Sequence, residues 1–259
     1  MKKLINHSKV LLHILLFSAL SSATSAQNDS KHLIGAQLGV QLFSQEGIKK
    51  DFIRKNSEKF DIGFNLFRPK TVLTTFGISD QINFGNEHFE LVVGLNLAHV
   101  DTEFINYDEA HSNGQTLYIQ VNKTEDQIDF LKVEAIQDNV SYIGVPISLK
   151  VNLISLSTFQ LYIKPTVAFN QRIGNQRSVT FSDEDQHHKS DQILALFEKP
   201  KSFYSAFQFS TGMRLLNSSS VVFNLETDLA HYFISDQFSD IVDLSGGQGI
   251  KFIIQIPIK

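Results

Sequence analysis

The residues best equipped for chemistry in this chain stand together in one run, Asp183-Glu184-Asp185-Gln186-His187-His188. Carboxylates and imidazoles bind metal ions, and Asp185 and His188 with a serine would make a nucleophilic triad. The pattern argues against both, because adjacent histidines rarely reach one ion and the chain has no HExxH, EF-hand or GxSxG motif. We favour a solvated acidic loop, and we predict no catalytic residue, no metal, no cofactor and no enzymatic activity.

A second set of ionisable residues is spread along the chain, each on the polar side of an alternating segment. Side chains of this kind that face the inside of one domain must pair, because an unpaired desolvated charge is costly. Arg214 is expected to find its partners on the neighbouring segment, which carries Glu226 and Asp228. We predict a structural network of salt bridges, with an ion path or ligand site as the alternative. Its members are Glu90, Lys150, Lys164, Arg172, Arg214, Glu226, Asp228 and Lys251.

The segments that must position these charges alternate between apolar and polar residues, which is the period of a β-strand. The clearest runs from Tyr142 to Leu153, where isoleucine, valine and leucine occupy every odd position. Eight such segments begin near residues 34, 72, 89, 142, 159, 203, 221 and 249. Each is long enough for a tilted strand to cross a bilayer.

The connections between these segments are alternately short and long. Short ones lie at 85–87, 154–157 and 217–218, and long ones at about 45–70, 105–138, 173–201 and 234–247. Outer-membrane barrels have short turns at one end, long loops at the other and an even number of strands. We predict an all-β, closed antiparallel up-and-down transmembrane barrel of eight strands. Ten is the alternative, if residues 116–121 and 128–133 are both membrane strands of a hairpin. Residues 60–66 could extend the second strand or form a separate one.

The size of the side chains indicates which face lies inside. The lumen of an eight-stranded barrel barely has room for side chains, and the polar faces are rich in glycine and alanine. The apolar faces carry bulky phenylalanine, isoleucine, leucine and valine, which would overfill such a lumen. We therefore predict a polar lumen and a lipid-facing apolar exterior. A soluble lipocalin-like ligand-binding barrel, with the faces reversed, is the alternative.

Composition and the first residues narrow the compartment. The 259 residues include no Cys, which excludes a disulfide framework and a thiolate metal site. Lys2 and Lys3, an apolar stretch over 10–17 and Thr24-Ser25-Ala26 predict a secretory signal peptide over 1–26, followed by a barrel domain over 27–259. The signal peptide holds three of the 23 basic residues and none of the 27 acidic ones, so the formal charge changes from −4 to −7 on its removal. Nucleic acid is not expected as a partner.

One stretch carries a family resemblance. Tyr142-Ile143-Gly144-Val145-Pro146-Ile147-Ser148-Leu149-Lys150 resembles a strand of the PorT-like outer-membrane proteins, which are small "porin family" barrels of Gram-negative envelopes. Residues 159–169 resemble that family's following strand, although Lys164-Pro165 stands where the family usually has Gly-Pro, and residues 249–252 resemble its closing strand. The resemblance implies a barrel fold, an outer-membrane location and a secretion apparatus as a class of partner.

From these patterns we predict a monomeric outer-membrane barrel with a structural or interaction role in the cell envelope. Its surroundings would be outer-membrane lipid, and the barrel-assembly machinery would insert it. Its lumen would be plugged by polar side chains, and the loops over 105–138 and 173–201 would meet an envelope or secretion-complex protein. A narrow pore for solutes or ions is the alternative function.

Overall fold

The computed structural model describes residues 32–55, 71–83, 88–105, 117–124, 127–156, 158–181, 183–215 and 221–258. The predicted signal peptide and the alternating stretch 60–66 lie outside these ranges. No helix in the described ranges is long and apolar enough to span a membrane. The strands are β1 His32–Ile48, β2 Ile53–Lys55, β3 Thr71–Asn83, β4 Phe89–Ile105, β5 Leu117–Thr124, β6 Gln127–Ser155, β7 Phe159–Phe181, β8 Phe203–Leu215, β9 Val222–Phe233 and β10 Val242–Ile258, and a 3-10 turn (Glu184–Lys189) leads into the short helix α1 (Ser190–Leu194).

Eight of these strands close into a ring in the order β1-β3-β4-β6-β7-β8-β9-β10, and β10 pairs back with β1. All of the pairings around the ring are antiparallel, so neighbouring strands run in opposite directions. At the closure, His32 pairs with Ile258 and Leu42 with Gln248. The predicted all-β, closed, eight-stranded up-and-down barrel is confirmed.

The two ends of the barrel differ. We call the end that holds His32, Ile258 and the short connections 84–88, 156–158 and 216–221 the turn end. The other end, which holds the connections 49–70, 106–126, 182–202 and 234–241, is the loop end. The predicted alternation of short and long connections is therefore observed.

The polar face of each strand points into the ring. On β1, Gln37 and Gln41 are buried, whereas Ile34 and Leu38 are exposed on the outside. A lipocalin-like interior of apolar side chains is therefore wrong for this chain. The exposed apolar band around the barrel includes Ile34, Leu38, Val40, Leu42, Phe76, Ile78, Leu95, Leu97, Leu149, Leu153, Leu225, Ile250, Phe252, Ile254 and Ile256.

Two strands are much longer than predicted. β6 has 29 residues and β7 has 23, and they pair from Ser155 and Gln160 up to Val133 and Phe181. The predicted loop over 105–138 is therefore largely strand, since it contains β5 and the start of β6 at residue 127. Of the predicted loop over 173–201, only residues 173–181 are strand, at the end of β7. The alternation continues past the apolar band with reversed polarity, which is why the start of β6 was predicted too late and the end of β7 too early.

The hairpin expected over 116–133 is present, but it adds no strand to the ring. β5 pairs with the first residues of β6, and β2 pairs with β5 through Ile53 and Ile119. This small sheet extends the barrel wall beyond the ring at the loop end. Inside it the buried residues are apolar, as in a water-soluble domain, and they include Ile53, Ile119, Leu131, Val133 and Ile193.

Two of the prolines within the strand patterns, Pro146 and Pro165, lie where a ladder is interrupted, because proline has no N–H to donate. The β4–β6 register passes from Val93–Ile147 to Asn96–Gly144 and omits Pro146. The β6–β7 register likewise passes from Ser148–Thr166 to Val151–Ile163 and omits Pro165. The closed ring therefore accommodates Pro146 and Pro165 at a local break in one of their two ladders. Pro257 pairs with Leu33 and lies beyond the last β9–β10 pair, Gln255–Val222.

Candidate functional site in the barrel lumen

The lumen holds seven of the eight charged residues predicted to line it. Glu90 comes from β4, Lys150 from β6, Lys164 from β7, Arg214 from β8, Glu226 and Asp228 from β9, and Lys251 from β10. All seven are buried. They lie on the inward face because each strand alternates, and they form three linked groups between the turn end and the loop end.

The group nearest the turn end is built on Arg214 and Glu90. Arg214 Nη1 donates to Glu90 Oε1 at 2.9 Å and Nη2 donates to Oε2 at 2.8 Å, which is a bidentate ion pair. The same guanidinium donates to Gln81 Oε1 at 2.8 Å and to Gln160 Oε1 at 3.0 Å. The expected pairing of Arg214 with Glu226 and Asp228 was wrong, because the carboxylate that reaches it comes from across the lumen.

Lys150 adjoins this group. Its Nζ lies 3.4 Å from Glu90 Oε2 and donates to Asn224 Oδ1 at 3.3 Å. It also lies 3.7 Å from the centroid of the Tyr162 ring. Such a cation–π contact offsets part of the cost of desolvating an ammonium group.

The middle group joins Lys164 to Glu226. Lys164 Nζ donates to Glu226 Oε2, and the Tyr162 hydroxyl donates to Oε1 at 3.0 Å. Tyr162 is completely buried, so its hydroxyl needs this acceptor. Sequence alternation placed Tyr162 on the inward face, but nothing in its sequence context indicated which acid it would bind.

The group nearest the loop end surrounds Asp228. Its Oδ1 accepts from Lys251 Nζ at 2.9 Å and from the Ser210 hydroxyl at 2.5 Å, and its Oδ2 accepts from Gln41 Nε2 at 2.5 Å. Lys251 also donates to Gln208 Oε1 at 3.1 Å. Asp228 is therefore held by strands β1, β8 and β10 as well as by its own.

The described lumen contains a small cavity. A cavity of about 10 Å³ lies among Gln37, Ser79, Lys150, Lys164 and Asn224. A volume of this size admits about one water molecule. Charged and amide side chains make up most of its lining.

Above the polar groups an aromatic cluster closes the lumen toward the loop end. The Phe43 ring centroid lies 4.8 Å from that of His231 and 5.4 Å from that of Phe238, and Tyr204 packs 4.8 Å from Tyr142. The cluster consists of Phe43, Tyr142, Tyr204, His231, Phe233 and Phe238.

A β-bulge delivers part of this cluster. The β8–β9 register shifts between Phe209–Ala230 and Ser210–Asp228, so Leu229 is the extra residue. An inserted residue reverses the parity of the strand beyond it. The sequence pattern placed Phe233 on the apolar outer face, and the bulge turns it inward instead.

Arg172 does not join the lumen network that was predicted to include it. It lies at a second register shift, where Tyr142 pairs with Arg172 and Ser141 with Gly174. Its guanidinium donates to the carbonyl oxygen of Pro200. Arg172 therefore holds the connection between β7 and β8 against the barrel rim.

Arg177 also holds the connection between β7 and β8, at a position farther along β7 toward the loop end. It was not among the predicted residues. Its Nη2 donates to Asp138 Oδ2 at 2.7 Å and to Asp240 Oδ1 at 2.6 Å, and its Nη1 donates to the Glu198 carbonyl oxygen at 2.9 Å. Its guanidinium also lies 4.8 Å from the centroid of the Phe197 ring. These contacts join β6, β7 and the connections 182–202 and 234–241, and no local sequence signal marks them.

Asp138 lies beyond the exposed apolar band and accepts a hydrogen bond from Arg177. Burial raises the pKa of its carboxyl above the ordinary aspartate value, and the nearby Asp240 acts in the same direction. Arg177 opposes the shift without cancelling it. One guanidinium is thus shared between two buried carboxylates.

The run predicted to form an acidic loop, Asp183–His188, enters the 3-10 turn, and the Asp183 carboxylate accepts the N–H of Asp185 at 3.2 Å. His187 and His188 are exposed. Across the described residues, no group of three or more His, Asp or Glu side chains is arranged to hold a metal ion.

Comparison with known proteins gives structural likeness only. No protein-family model matches the chain, and no curated protein matches it in sequence. Neisserial surface protein A is similar with 8% identity and a TM-score of 0.41, covering 89% of this chain and 100% of its own. Ail, the attachment invasion locus protein of Yersinia pestis, has 8% identity and a TM-score of 0.34, with 88% and 95% covered.

A third similar structure corrects a prediction. The outer-membrane protease OmpT from Escherichia coli has 7% identity and a TM-score of 0.29, covering 89% of this chain and 96% of its own. The prediction that the chain is not an enzyme was therefore wrong as an exclusion, because barrels similar to it include a protease. At such identity the likeness assigns no reaction to this chain.

Proposed function

We propose that this protein is a monomeric outer-membrane barrel with a structural or interaction role, whose partner surface is its loop end. The observation that carries the proposal is the occupied lumen: seven buried charged side chains, amides and an aromatic cluster lie inside the ring, and the cavity among the lumen charges measures about 10 Å³. A barrel closed in this way offers its loop end and its rim, rather than a channel, to other molecules.

The surrounding medium follows from the exterior. The apolar band is exposed on all sides of the ring, with Phe252 63% and Leu153 60% accessible. Large contiguous apolar surfaces are unfavourable in water, whereas lipid chains suit them. The turn end would then face the periplasm and the loop end the outside, as in outer-membrane barrels with short periplasmic turns.

The loop end has features of a contact surface. Phe130 is 53% exposed on the β5–β6 hairpin, beyond the apolar band. The neighbouring strand β7 carries exposed polar side chains in its part beyond the band. An envelope protein or a secretion complex is the class of partner that the PorT-like strand motif suggests. The barrel-assembly machinery would insert the chain after export, with residues 1–26 as the signal peptide.

Two experiments test the proposal. The protein expressed with its own N-terminal segment should fractionate with outer membranes and migrate faster on gels when it is not boiled. A photo-crosslinker at Phe130 should capture a protein partner in intact cells, whereas the same group at Leu153 should label lipid or nothing. A soluble protein without a mobility shift, or equal protein capture at both positions, would contradict it.

The alternative function is a narrow ion pore, and the cationic excess in the lumen is the observation that favours it. Planar-bilayer recordings separate the two proposals. Stable, defined conductance steps would support the pore and defeat the filled lumen.

A further inference from the structure

The buried charges of the described lumen do not balance. Four cations, Lys150, Lys164, Arg214 and Lys251, share three carboxylates, Glu90, Glu226 and Asp228. Arg172 is directed to the rim instead. The described lumen therefore holds one more basic side chain than acidic ones, and a buried cation without a counter-charge is expensive.

Lys150 is the cation without a carboxylate of its own. Both of its polar partners are shared with Arg214, which takes Glu90 Oε2 at the shorter distance of 2.8 Å and also donates to Asn224 Oδ1 at 3.3 Å. Lys150 reaches the same two oxygens at 3.4 and 3.3 Å. Glu90 is therefore the single carboxylate that Arg214 and Lys150 share.

The cavity lies beside this ammonium group. Lys150 and Lys164 both line it, together with Ser79, Gln37 and Asn224. Glu226 lines it as well, but its two carboxylate oxygens already accept from Tyr162 and Lys164. The lining thus contains two lysines against one engaged carboxylate.

We propose that this cavity binds one small monovalent anion, with chloride as the physiological example, between Lys150 and Lys164. The anion supplies a counter-charge for Lys150 in a cavity that both lysines line. The volume of about 10 Å³ excludes polyatomic anions such as gluconate. This site goes beyond the proposed envelope role and does not depend on any partner at the loop end.

Crystallography with bromide tests the site directly. Crystals of the detergent-extracted protein grown in sodium bromide should show an anomalous peak in the cavity, in contact with Lys150 Nζ. Density for a water molecule without anomalous signal would overturn the proposal, as would bromide found only on the outer surface.

Stability provides a second readout. The temperature at which the gel-mobility shift is lost should be about 5 °C higher in sodium chloride, at a concentration that saturates the site, than in sodium gluconate of equal ionic strength. K150M should abolish that difference, and K150Q serves if K150M does not fold. K199M, which removes an exposed lysine, should keep it. An equal midpoint in both salts would refute the anion site while leaving the barrel proposal intact, since the mobility shift itself would persist.

Discussion

Arg214 and Glu90 are 124 positions apart in the chain and meet across the lumen through two parallel hydrogen bonds of 2.9 and 2.8 Å. Lys150 approaches the same carboxylate at 3.4 Å. One acidic side chain of β4 is thus the counter-charge for cations from β6 and β8. Because Glu90 serves two cations, removing Glu90 and removing Arg214 should cost different amounts of folding stability.

E90Q should destabilise the folded barrel more than R214M. Loss of Glu90 leaves two buried cations without a carboxylate, and breaking a buried pair typically costs about 3–5 kcal/mol. Loss of Arg214 leaves Glu90 with Lys150 as a partner. Urea titration of the barrel in detergent, monitored by far-ultraviolet circular dichroism and gel mobility, measures the stability of both variants.

A surface acid provides the control for this comparison. Glu103 accepts from Gln137 at 3.0 Å on an exposed part of the wall, so E103Q should change stability by less than about 0.5 kcal/mol. Equal losses for E90Q and R214M would show that Lys150 does not share Glu90.

G212A should strain the middle of the lumen. A Cβ at Gly212 would lie 2.5 Å from Cζ of Tyr162, whose hydroxyl binds Glu226. The ring would have to move, and overpacking of this kind costs about 1–3 kcal/mol. Thermal loss of the mobility shift is the measurement.

G174A is the matched control, because a Cβ at Gly174 would have no neighbour within 4 Å. It should leave the midpoint unchanged. A neutral G212A would mean that the Tyr162 ring is not packed as described.

F252R tests which medium surrounds the ring. Phe252 is 63% exposed in the middle of the apolar band on β10. An arginine on the lipid face near the bilayer centre costs about 2–4 kcal/mol, whereas an exposed arginine in water costs almost nothing. Refolding yield into lipid vesicles reports the difference.

N175R is the comparison variant, since Asn175 is exposed on the part of β7 that extends beyond the apolar band. It should fold as well as the parent protein. If F252R folds equally well, the exterior does not face lipid.

R177A should loosen the connection between β7 and β8 without opening the barrel. Arg177 holds Glu198, Phe197 and two buried aspartates, so its loss frees a segment that contains Lys189 and Lys199. Trypsin should cut there several times faster, and the gel-mobility shift should stay. N175A should be cut like the parent, and unchanged cleavage of R177A would show that Arg177 does not hold the segment.

The sequence predicts more of the fold than of the site. Strict alternation identifies eight ring strands, their polar faces and the inward placement of Lys150, Lys164 and Glu226. It misplaces the ends of β6 and β7, because beyond the apolar band their inner face becomes apolar while the period stays the same. It also misplaces Phe233, because the bulge at Leu229 reverses parity without a proline or glycine to mark it.

The sequence by itself determined a barrel with a polar, charged interior, since period, side-chain size and connection length are local properties. Only the tertiary structure decided which charges meet. Glu90 with Arg214, Glu226 with Lys164 and Asp228 with Lys251 are set by ring closure and register, which bring distant strands to one level. The same closure leaves Lys150 with shared acceptors beside a small cavity, which no count of charges along the chain could locate.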